Sequence, residues 1–359
     1  MRPAAALLLL AFWIAGCAPE TPAGPARLDA PLPARLSELR VLERRADLVP
    51  VGGVAYALGH PLFSDYARKY RTVHLPPGAT AVAAGDAATL DFPVGTHLTK
   101  TFYYPVRGGA VVLAEPGVFR GPDVALDTTG VRLLETRVLR RTEAGWEAVS
   151  YVWDEDGRDA RKARTGALIP LATTDGGAFD YLVPDANQCA GCHATDHGSG
   201  ALAPIGPKPG NLAAVTLAGA GDQYADWRRR GLVAGPAAGA WPETGDGAAR
   251  AYLDVNCAHC HSAVGAADTA GLDLGFEAAP DALGVCKSPV AAGRGSGGRA
   301  YDVWPGRADA SILLYRMDHT DPGVMMPELG RSLVHAEGVE RIRAWIDRME
   351  GDCDAGQLL

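Results

Sequence analysis

Hydrophobic and polar residues follow a strand-like pattern through residues 49–184. The segments AVVLAE, VRLLETRVLRRT and GWEAVSYVWDEDG are rich in β-branched and aromatic residues, and turn sequences such as PPG, VRGG and DEDG separate the strand-like runs. Residues 136–142 alternate polar and apolar side chains, as a strand with one solvent-exposed face does. This pattern predicts an antiparallel, sandwich-like β-rich domain.

From residue 185 onward, apolar residues recur at the spacing of α-helices instead. The segments DQYADWRRRG and GDGAARAYLDVNCAHCH predict two helices. A last helix is predicted for EGVERIRAWIDRM, in which one apolar stripe is formed by Val339, Ile342, Trp345, Ile346 and Met349. We therefore expect an α+β multidomain chain in which the β-rich domain is followed by an α-helical region.

Composition and charge narrow the possible partners. The chain has 359 residues, of which 47% are hydrophobic and 21% are charged, and these values are typical of folded domains rather than of disordered segments. The formal net charge is −8 at pH 7, and no basic cluster in the sequence offsets it. Nucleic acid is therefore not an expected partner.

The motif C-x-x-C-H occurs twice in a chain that has only seven Cys and nine His. The first copy supplies Cys189, Cys192 and His193, and the second supplies Cys257, Cys260 and His261. Two thiols at this spacing can add to the vinyl groups of one porphyrin, and the adjacent imidazole can then bind the iron. The motifs predict two covalently bound haems c, with His193 and His261 as iron ligands.

Two other chemistries also use cysteines in pairs. A zinc site made by all four thiols usually has about 15–20 residues between the pairs, and here the gap is far longer. A thioredoxin-like redox pair does not need a His after its second Cys. Haem attachment is therefore the favoured interpretation of both motifs.

A second axial ligand for the second haem is predicted in the segment PGVMMPELG. A Met followed by Pro, downstream of C-x-x-C-H and before the last helix, is typical of the ligand loop in small cytochromes c. Met326 directly precedes Pro327 and is the predicted ligand, with Met325 as the alternative. Met317 and Met349 lie in apolar runs, and we assign them to packing.

No Met lies between the two motifs, so the iron of the first haem needs a different second ligand. The candidates are His60, His74, His97, His197, His319 and His335. A five-coordinate iron is the other possibility, and it would be open to small ligands.

The N-terminus has the pattern of an export signal. Arg2 precedes the run AAALLLLAFWIAG, and Cys17 follows it. This run is shorter than a typical membrane-spanning helix. The end of this run resembles a bacterial lipobox, which implies cleavage before Cys17 and lipid on its sulfur; the alternative is a plain signal peptide with an unmodified Cys. Because Ala18 is not an Asp, an outer-membrane location is favoured. We expect a protein anchored by lipid on the periplasmic side of the cell envelope.

Two cysteines remain after these assignments. In an oxidising compartment leftover thiols tend to pair, so a disulfide between Cys286 and Cys353 is a possible outcome. Two unpaired thiols are the alternative, because the sequence does not test the distance between them.

Several stretches together resemble a group of exported bacterial dihaem c-type cytochromes. These are mostly lipoproteins, often encoded beside a parallel β-helix protein, and their role is poorly defined. The matching stretches are PLFSDYARKYR, FPVGTHLTKTFYYP, PDANQCAGCH with PIGPKPGNL, RAYLDVNCAHCH, GVCKSPVAAGRGSGG and GVMMPELGRSLVHAEGVERIRAWI. The resemblance implies two haems c, export and electron transfer, and it favours a structural role for Cys286.

These expectations divide the chain into six parts. They are a signal peptide (1–16), a lipidated Cys with a Pro- and Ala-rich tether (17–48), the β-rich domain (49–184), a first haem segment (185–245), a cytochrome c-like helical domain with the second haem (246–351) and a tail (352–359). The expected function is non-catalytic electron transfer between periplasmic redox proteins. The alternatives are a dihaem peroxidase-like enzyme with a reactive first haem, and a binding module with an aromatic platform of Tyr103, Tyr104, Trp146 and Trp153.

Overall fold

The computed structural model describes residues 30–113, 121, 124–290 and 293–354. Its strands are β1 (Leu42–Arg44), β2 (Leu48–Pro50), β3 (Val54–Tyr56), β4 (Arg68–His74), β5 (Ala81–Val82), β6 (His97–Arg107), β7 (Ala110–Val111), β8 (Val131–Thr142), β9 (Gly145–Trp153), β10 (Ala160–Ala163), β11 (Ala167–Ala172), β12 (Ala178–Val183), β13 (Thr216–Leu217), β14 (Gly221–Asp222) and β15 (Val233–Ala234). Its α-helices are α1 (Ala186–His193), α2 (Pro209–Ala213), α3 (Gln223–Arg229), α4 (Gly245–Leu253), α5 (Ile312–Met317) and α6 (Ala336–Asp347).

One antiparallel sheet dominates the first half of the described chain. Its strands lie in the order β10-β9-β8-β6-β4-β3, and the short strand β7 pairs with β6. Four smaller sheets accompany it, namely the antiparallel pairs β1–β2, β11–β12 and β13–β14 and the parallel pair β5–β15. The predicted antiparallel strands are therefore present, but they form one large sheet and several two-stranded ones.

The predicted sandwich followed by an α-helical cytochrome c-like region is wrong. The described chain is β-rich, and its six α-helices are short, the longest being the twelve residues of α6. Helices α3, α4 and α6 form where helical spacing predicted them, but between residues 262 and 335 the only described α-helix is the six-residue α5. Glycine and proline recur through that stretch, and both residues interrupt helices.

Separate hydrophobic clusters pack against the main sheet. Leu212 of α2 and Trp227 of α3 pack in one cluster with Leu98 of β6. The hairpin β11–β12 contributes Leu171 and Tyr181 to another cluster. The sheet is thus covered by short helices and a hairpin rather than by a second large sheet.

The segment before β3 belongs to the core of the β-rich part. Leu36 and Leu39 are at most 2% exposed and cluster with Tyr151 and Trp153. The described end of the predicted tether therefore packs against the sheet. Since Trp153 is buried and Tyr104 is fully buried, the four aromatic residues do not form an exposed platform. The signal peptide and Cys17 lie outside the described residues.

The C-terminal part has its own core, formed where α4, α5 and α6 meet. Leu253, Leu314 and Ile342, one from each helix, are almost completely buried in it. A disulfide joins Cys286 to Cys353 with a Cα–Cα distance of 5.1 Å. Within the described ranges, no helix combines the length and apolar character needed to cross a membrane.

Candidate functional site

The first C-x-x-C-H motif occupies the end of helix α1. Asp185 begins this helix with a capping box, in which the Gln188 N–H donates to the Asp185 carboxylate at 2.8 Å and the Asp185 N–H donates to the Gln188 side chain at 3.0 Å. Residues three and four apart share one helix face. The capped helix therefore holds Cys189, Cys192 and His193 on a common face.

The His193 ring is oriented by the backbone. Its Nδ1 lies 2.8 Å from the carbonyl oxygen of Ala203, so Nδ1 carries the proton and donates it. Burial, followed by the positive charge of Lys100, lowers the pKa of His193 to about 4. The ring is therefore neutral at neutral pH with an unprotonated Nε2, which is the form that can bind a metal.

The second motif follows helix α4 through a π-helical turn, Asp254–Ala258. The turn is anchored by Asp254, whose carboxylate pairs with the Lys208 ammonium at 2.7 Å and accepts the Phe276 N–H at 3.0 Å. Asn256 accepts the Phe63 N–H at 2.9 Å. These bonds tie the second motif to segments that lie far away in the sequence.

His261 is the last residue of the second motif. Its backbone N–H donates to the Cys257 carbonyl at 2.9 Å, and its carbonyl accepts the N–H of Leu274 at 3.0 Å. The ring atom Nδ1 is buried and has no hydrogen-bond partner among the described residues. Burial and the charge of Arg316 lower the pKa of His261, which favours the neutral ring, the form that can bind a metal.

The two motifs touch each other. The Cys260 thiol lies 3.7 Å from the carbonyl oxygen of Gly191, which sits inside the first motif. Leu329 lies beside the same glycine, since a Cβ added to Gly191 would be 3.2 Å from its Cδ1 atom. Two C-x-x-C-H motifs that are distant in the sequence are thus neighbours in the fold.

All four motif cysteines are free thiols. Burial raises the pKa of Cys189 and Cys192, and it raises that of Cys257 to about 12 and that of Cys260 to about 11. Redox-active C-x-x-C pairs need the opposite shift, because the thiolate is the reactive form. The environment of these thiols therefore disfavours a thioredoxin-like role. In the part of the chain that the structure describes, no group of three or more His, Cys, Asp or Glu residues is arranged to hold a metal ion.

A large cleft opens beside the first motif. It encloses about 1080 Å³ of empty space, part of it open to solvent, and its walls are mostly apolar. Cys189, Cys192 and His193 line it on one side, and Val138 and Val149 of the main sheet line another. The first cleft, as we call it, therefore lies between the sheet and the first motif.

Met326, from the C-terminal part of the chain, lines the first cleft. The Met326 N–H donates to the Arg316 carbonyl at 3.0 Å, and its own carbonyl accepts the Arg331 guanidinium at 2.9 Å. Met326 lines the cleft, whereas Met325 and His261 are not among its lining residues. Met326 thus lies beside the first motif, although the sequence assigned it to the second.

The six histidines that were candidate ligands of the first haem have different environments in the structure. Both ring nitrogens of His74 are occupied, by Thr72 at 2.7 Å and by the Val51 carbonyl at 3.1 Å. His335 is the one among the six candidates that lines the first cleft, and its Nδ1 lies 3.1 Å from the Tyr252 hydroxyl. Of the six, His335 is therefore the histidine that the fold brings to the cleft.

Sequence reasoning missed His259, which lies inside the second motif. This histidine lines the first cleft together with His193. Its Nδ1 is a buried atom without a hydrogen-bond partner in the described part of the chain. The signal was present in the sequence, since His259 is an extra histidine within NCAHCH, but its position relative to the first motif depends on the contact between the two motifs.

The residues present fit covalent haem. Two pairs of free thiols, two neutral imidazoles and an apolar cleft are the donor set and surroundings that a c-type haem requires. The unpartnered Nδ1 of His261 is a further polar atom buried within the site. No family model matches this chain, and no curated protein or solved structure is significantly similar to it.

Proposed function

We propose that this chain is a dihaem c-type cytochrome that transfers electrons between redox partners on the periplasmic side of the cell envelope. The observation that carries the proposal is the contact between the two C-x-x-C-H motifs, with Cys260 Sγ 3.7 Å from the carbonyl oxygen of Gly191. Attachment sites that touch would hold two cofactors as neighbours, and electron transfer within one chain needs such neighbours.

Each part of the site has a role in holding the cofactors. Cys189 and Cys192 would attach the first haem and Cys257 and Cys260 the second. The Ala203 carbonyl fixes the tautomer of His193 and leaves its Nε2 able to bind iron. A bound haem c would supply an iron that is reversibly oxidised and reduced. The apolar walls of the first cleft would limit the contact of that iron with water and so favour electron transfer over reaction with solvent.

Met326 remains the proposed thioether ligand of the second haem. Its backbone is held at both ends, by the Arg316 carbonyl and by the Arg331 guanidinium, so the side chain is presented from a fixed loop. A His/Met ligand pair raises the reduction potential of a haem. Such a haem would accept electrons readily from a donor protein.

Export and lipid attachment at Cys17 complete the proposal. The disulfide Cys286–Cys353 supports it, because such bonds persist in oxidising compartments such as the periplasm. Haem attachment to C-x-x-C-H also takes place outside the inner membrane. The outer membrane is the proposed location of the lipid anchor.

The proposal is tested by producing the chain with a cytochrome c maturation system. We expect two haems per chain, measured by the pyridine haemochrome assay and by mass spectrometry. Cys192→Ser and Cys260→Ser should each lose one haem-carrying site, while Cys286→Ser should keep both haems. A wild-type chain that leaves the maturation system without covalent haem would overturn the proposal.

A peroxidase-like enzyme is the second candidate, and one observation favours it. His335 lines the first cleft, its Nδ1 lies 3.1 Å from the Tyr252 hydroxyl and its Nε2 lies 3.8 Å from the Glu337 carboxylate. An acid–base group of this kind is what peroxide cleavage requires. Peroxide-dependent oxidation of an electron donor, lost in His335→Ala, would favour the enzyme.

A further inference from the structure

Three positively charged residues lie side by side on the main sheet. Arg71 of β4 pairs with Lys100 of β6, and Lys100 pairs with Arg137 of β8. Like charges directly opposite each other on neighbouring strands destabilise a sheet. A row of three such residues therefore needs negative charge nearby.

A fourth cation, Lys69, lies on the same face two residues before Arg71. Three of the four cations surround the Phe102 ring, with Lys69 at 5.5 Å, Lys100 at 5.3 Å and Arg137 at 4.4 Å from its centroid. Contact with an aromatic face stabilises a cation by roughly 0.5–2 kcal/mol. That contribution is small against the cost of burying several like charges together.

One carboxylate lies on this face, and it is already paired with Arg137. Glu135 is fully buried, and it accepts two hydrogen bonds from the Arg137 guanidinium, at 2.6 and 3.0 Å, and one from the Tyr181 hydroxyl at 2.8 Å. Asp65, which also acts on Lys69, accepts the N–H groups of Ser332 and Leu333 instead.

Among the described residues of this face, the cations Lys69, Arg71, Lys100 and Arg137 outnumber the carboxylate Glu135. Burial is the largest cause that lowers the pKa of Lys69, Arg71 and Lys100, and repulsion among the cations adds to it for both lysines. A second anion placed here would therefore favour the charged forms of the lysines.

The cationic face borders the space beside the first motif. Lys100 and Arg137 line the first cleft together with Cys189, Cys192 and His193. A second cleft, of about 770 Å³ and also partly open, is lined by Arg71, Lys100, Arg137 and His193. Any group attached at the first motif therefore lies close to this row.

We propose that Arg71, Lys100 and Arg137 bind the propionate carboxylates of the haem attached at Cys189 and Cys192. The inference rests on the proposed function. A haem c carries two carboxylates, which would offset most of the excess positive charge. Guanidinium groups bind carboxylates in a bidentate fork, and an ammonium adds a compact charge.

The inference gives the β-rich part of the chain a role. The main sheet would hold the first haem through its propionates, and its cations would stabilise the reduced, less positive state of the iron. The first haem should therefore have a higher reduction potential with this row than without it.

The test uses the holoprotein with isotope-labelled propionate carboxylates. Redox-induced infrared difference spectra report the carboxylate bands, and a spectroelectrochemical titration reports the midpoint potential of each haem. Lys100→Met removes the charge while keeping a side chain of similar length. Arg71→Gln removes a charge from a different strand, and it serves as the test if Lys100→Met fails to fold. Arg107→Met is the matched control, because Arg107 is an exposed residue of the same strand β6.

We expect both cluster variants to shift the labelled bands and to lower the midpoint potential of the first haem only. Lys100→Arg should restore both properties, and Arg107→Met should change neither. The inference is overturned if the labelled bands do not move in either cluster variant. It is also overturned if inorganic phosphate binds the wild-type holoprotein and Lys100→Met abolishes that binding, because the row would then serve an external anion.

The two failures are distinguishable. Absence of covalent haem from the wild-type chain would remove the proposed function itself. If two haems are attached but the propionate bands are unchanged in the cluster variants, this inference alone is refuted.

Discussion

The thiol of Cys260 lies 3.7 Å from the carbonyl oxygen of Gly191, although the two residues are 69 positions apart in the chain. This contact joins the two C-x-x-C-H motifs directly. Leu329 also lies beside this glycine, since a Cβ at Gly191 would be 3.2 Å from its Cδ1 atom.

We predict that Gly191→Phe separates the two motifs. Because Gly191 is exposed and a side chain there would first meet Leu329, the substitution should lower the free energy of unfolding by only about 0.5 kcal/mol or less and should slow electron exchange between the haems. Denaturant unfolding and flash-induced interhaem transfer measure the two effects. Asn187→Phe places the same ring at an exposed position of α1 and should change neither. Equal rates in both variants would contradict the prediction.

Met326 and Met325 provide a matched pair of thioethers. Met326→Ala should abolish the weak sulfur-to-iron absorption band and lower one midpoint potential, because the thioether raises the potential of a haem. Met325→Ala should retain the band, since Met326, which directly precedes Pro327, is the proposed ligand. The reverse result would make Met325 the ligand.

The haem that Met326 serves is settled by a second comparison. In Cys192→Ser, which should lack a properly attached first haem, the band should persist if Met326 serves the second haem as the sequence predicts. Loss of the band in that variant would assign Met326 to the first haem, beside which the fold places it.

The ion pair between Lys208 and Asp254 stabilises the second motif. Its side chains are only 16% and 2% exposed, and its N–O distance is 2.7 Å. Asp254→Ala should lower the free energy of unfolding by about 3–5 kcal/mol, because a buried ammonium is left unpaired. The double variant with Lys208→Met should lose less than Asp254→Ala alone. Urea denaturation of the four proteins of this cycle gives the coupling free energy, and strictly additive losses would argue against a coupled pair.

Stability should depend on pH through His74. Burial lowers the pKa of this side chain from 6.5 to about 4, so the unfolded chain binds a proton at a higher pH than the folded chain does. The free energy of unfolding should therefore be largest above pH 6.5 and fall towards pH 4, by about 3 kcal/mol from this residue. His74→Gln should make the fall in the free energy of unfolding between pH 6.5 and pH 4 smaller. Identical slopes in wild type and His74→Gln would refute this account.

The disulfide Cys286–Cys353 closes a loop of 67 residues. Loop-closure entropy for this length corresponds to about 4 kcal/mol at 25 °C. Cys286→Ser with Cys353→Ser should lower the free energy of unfolding by an amount of that order, measured by urea denaturation without reductant. Adding reductant to the wild type should produce a similar loss and should not affect the double variant.

The proposed chemistry of the site rests on short local patterns. Cys189, Cys192, Cys257 and Cys260 are recognisable because C-x-x-C-H is a contiguous motif whose spacing follows from the size of a porphyrin. Counting the remaining cysteines left Cys286 and Cys353 as a possible pair or as two free thiols, and the structure contains the disulfide. Helices α3, α4 and α6 were predicted correctly because an apolar stripe is a local signal.

The arrangement of these parts depended on tertiary structure. The expected sandwich and helical cytochrome c-like region were wrong, because strand and helix patterns do not state which strands pair or how much irregular chain lies between short helices. The row of Arg71, Lys100 and Arg137 exists only through strand register, which pairs residues from three separate segments. Likewise, His259 and Met326 reach the first motif because long-range packing, rather than their neighbours in sequence, sets their positions.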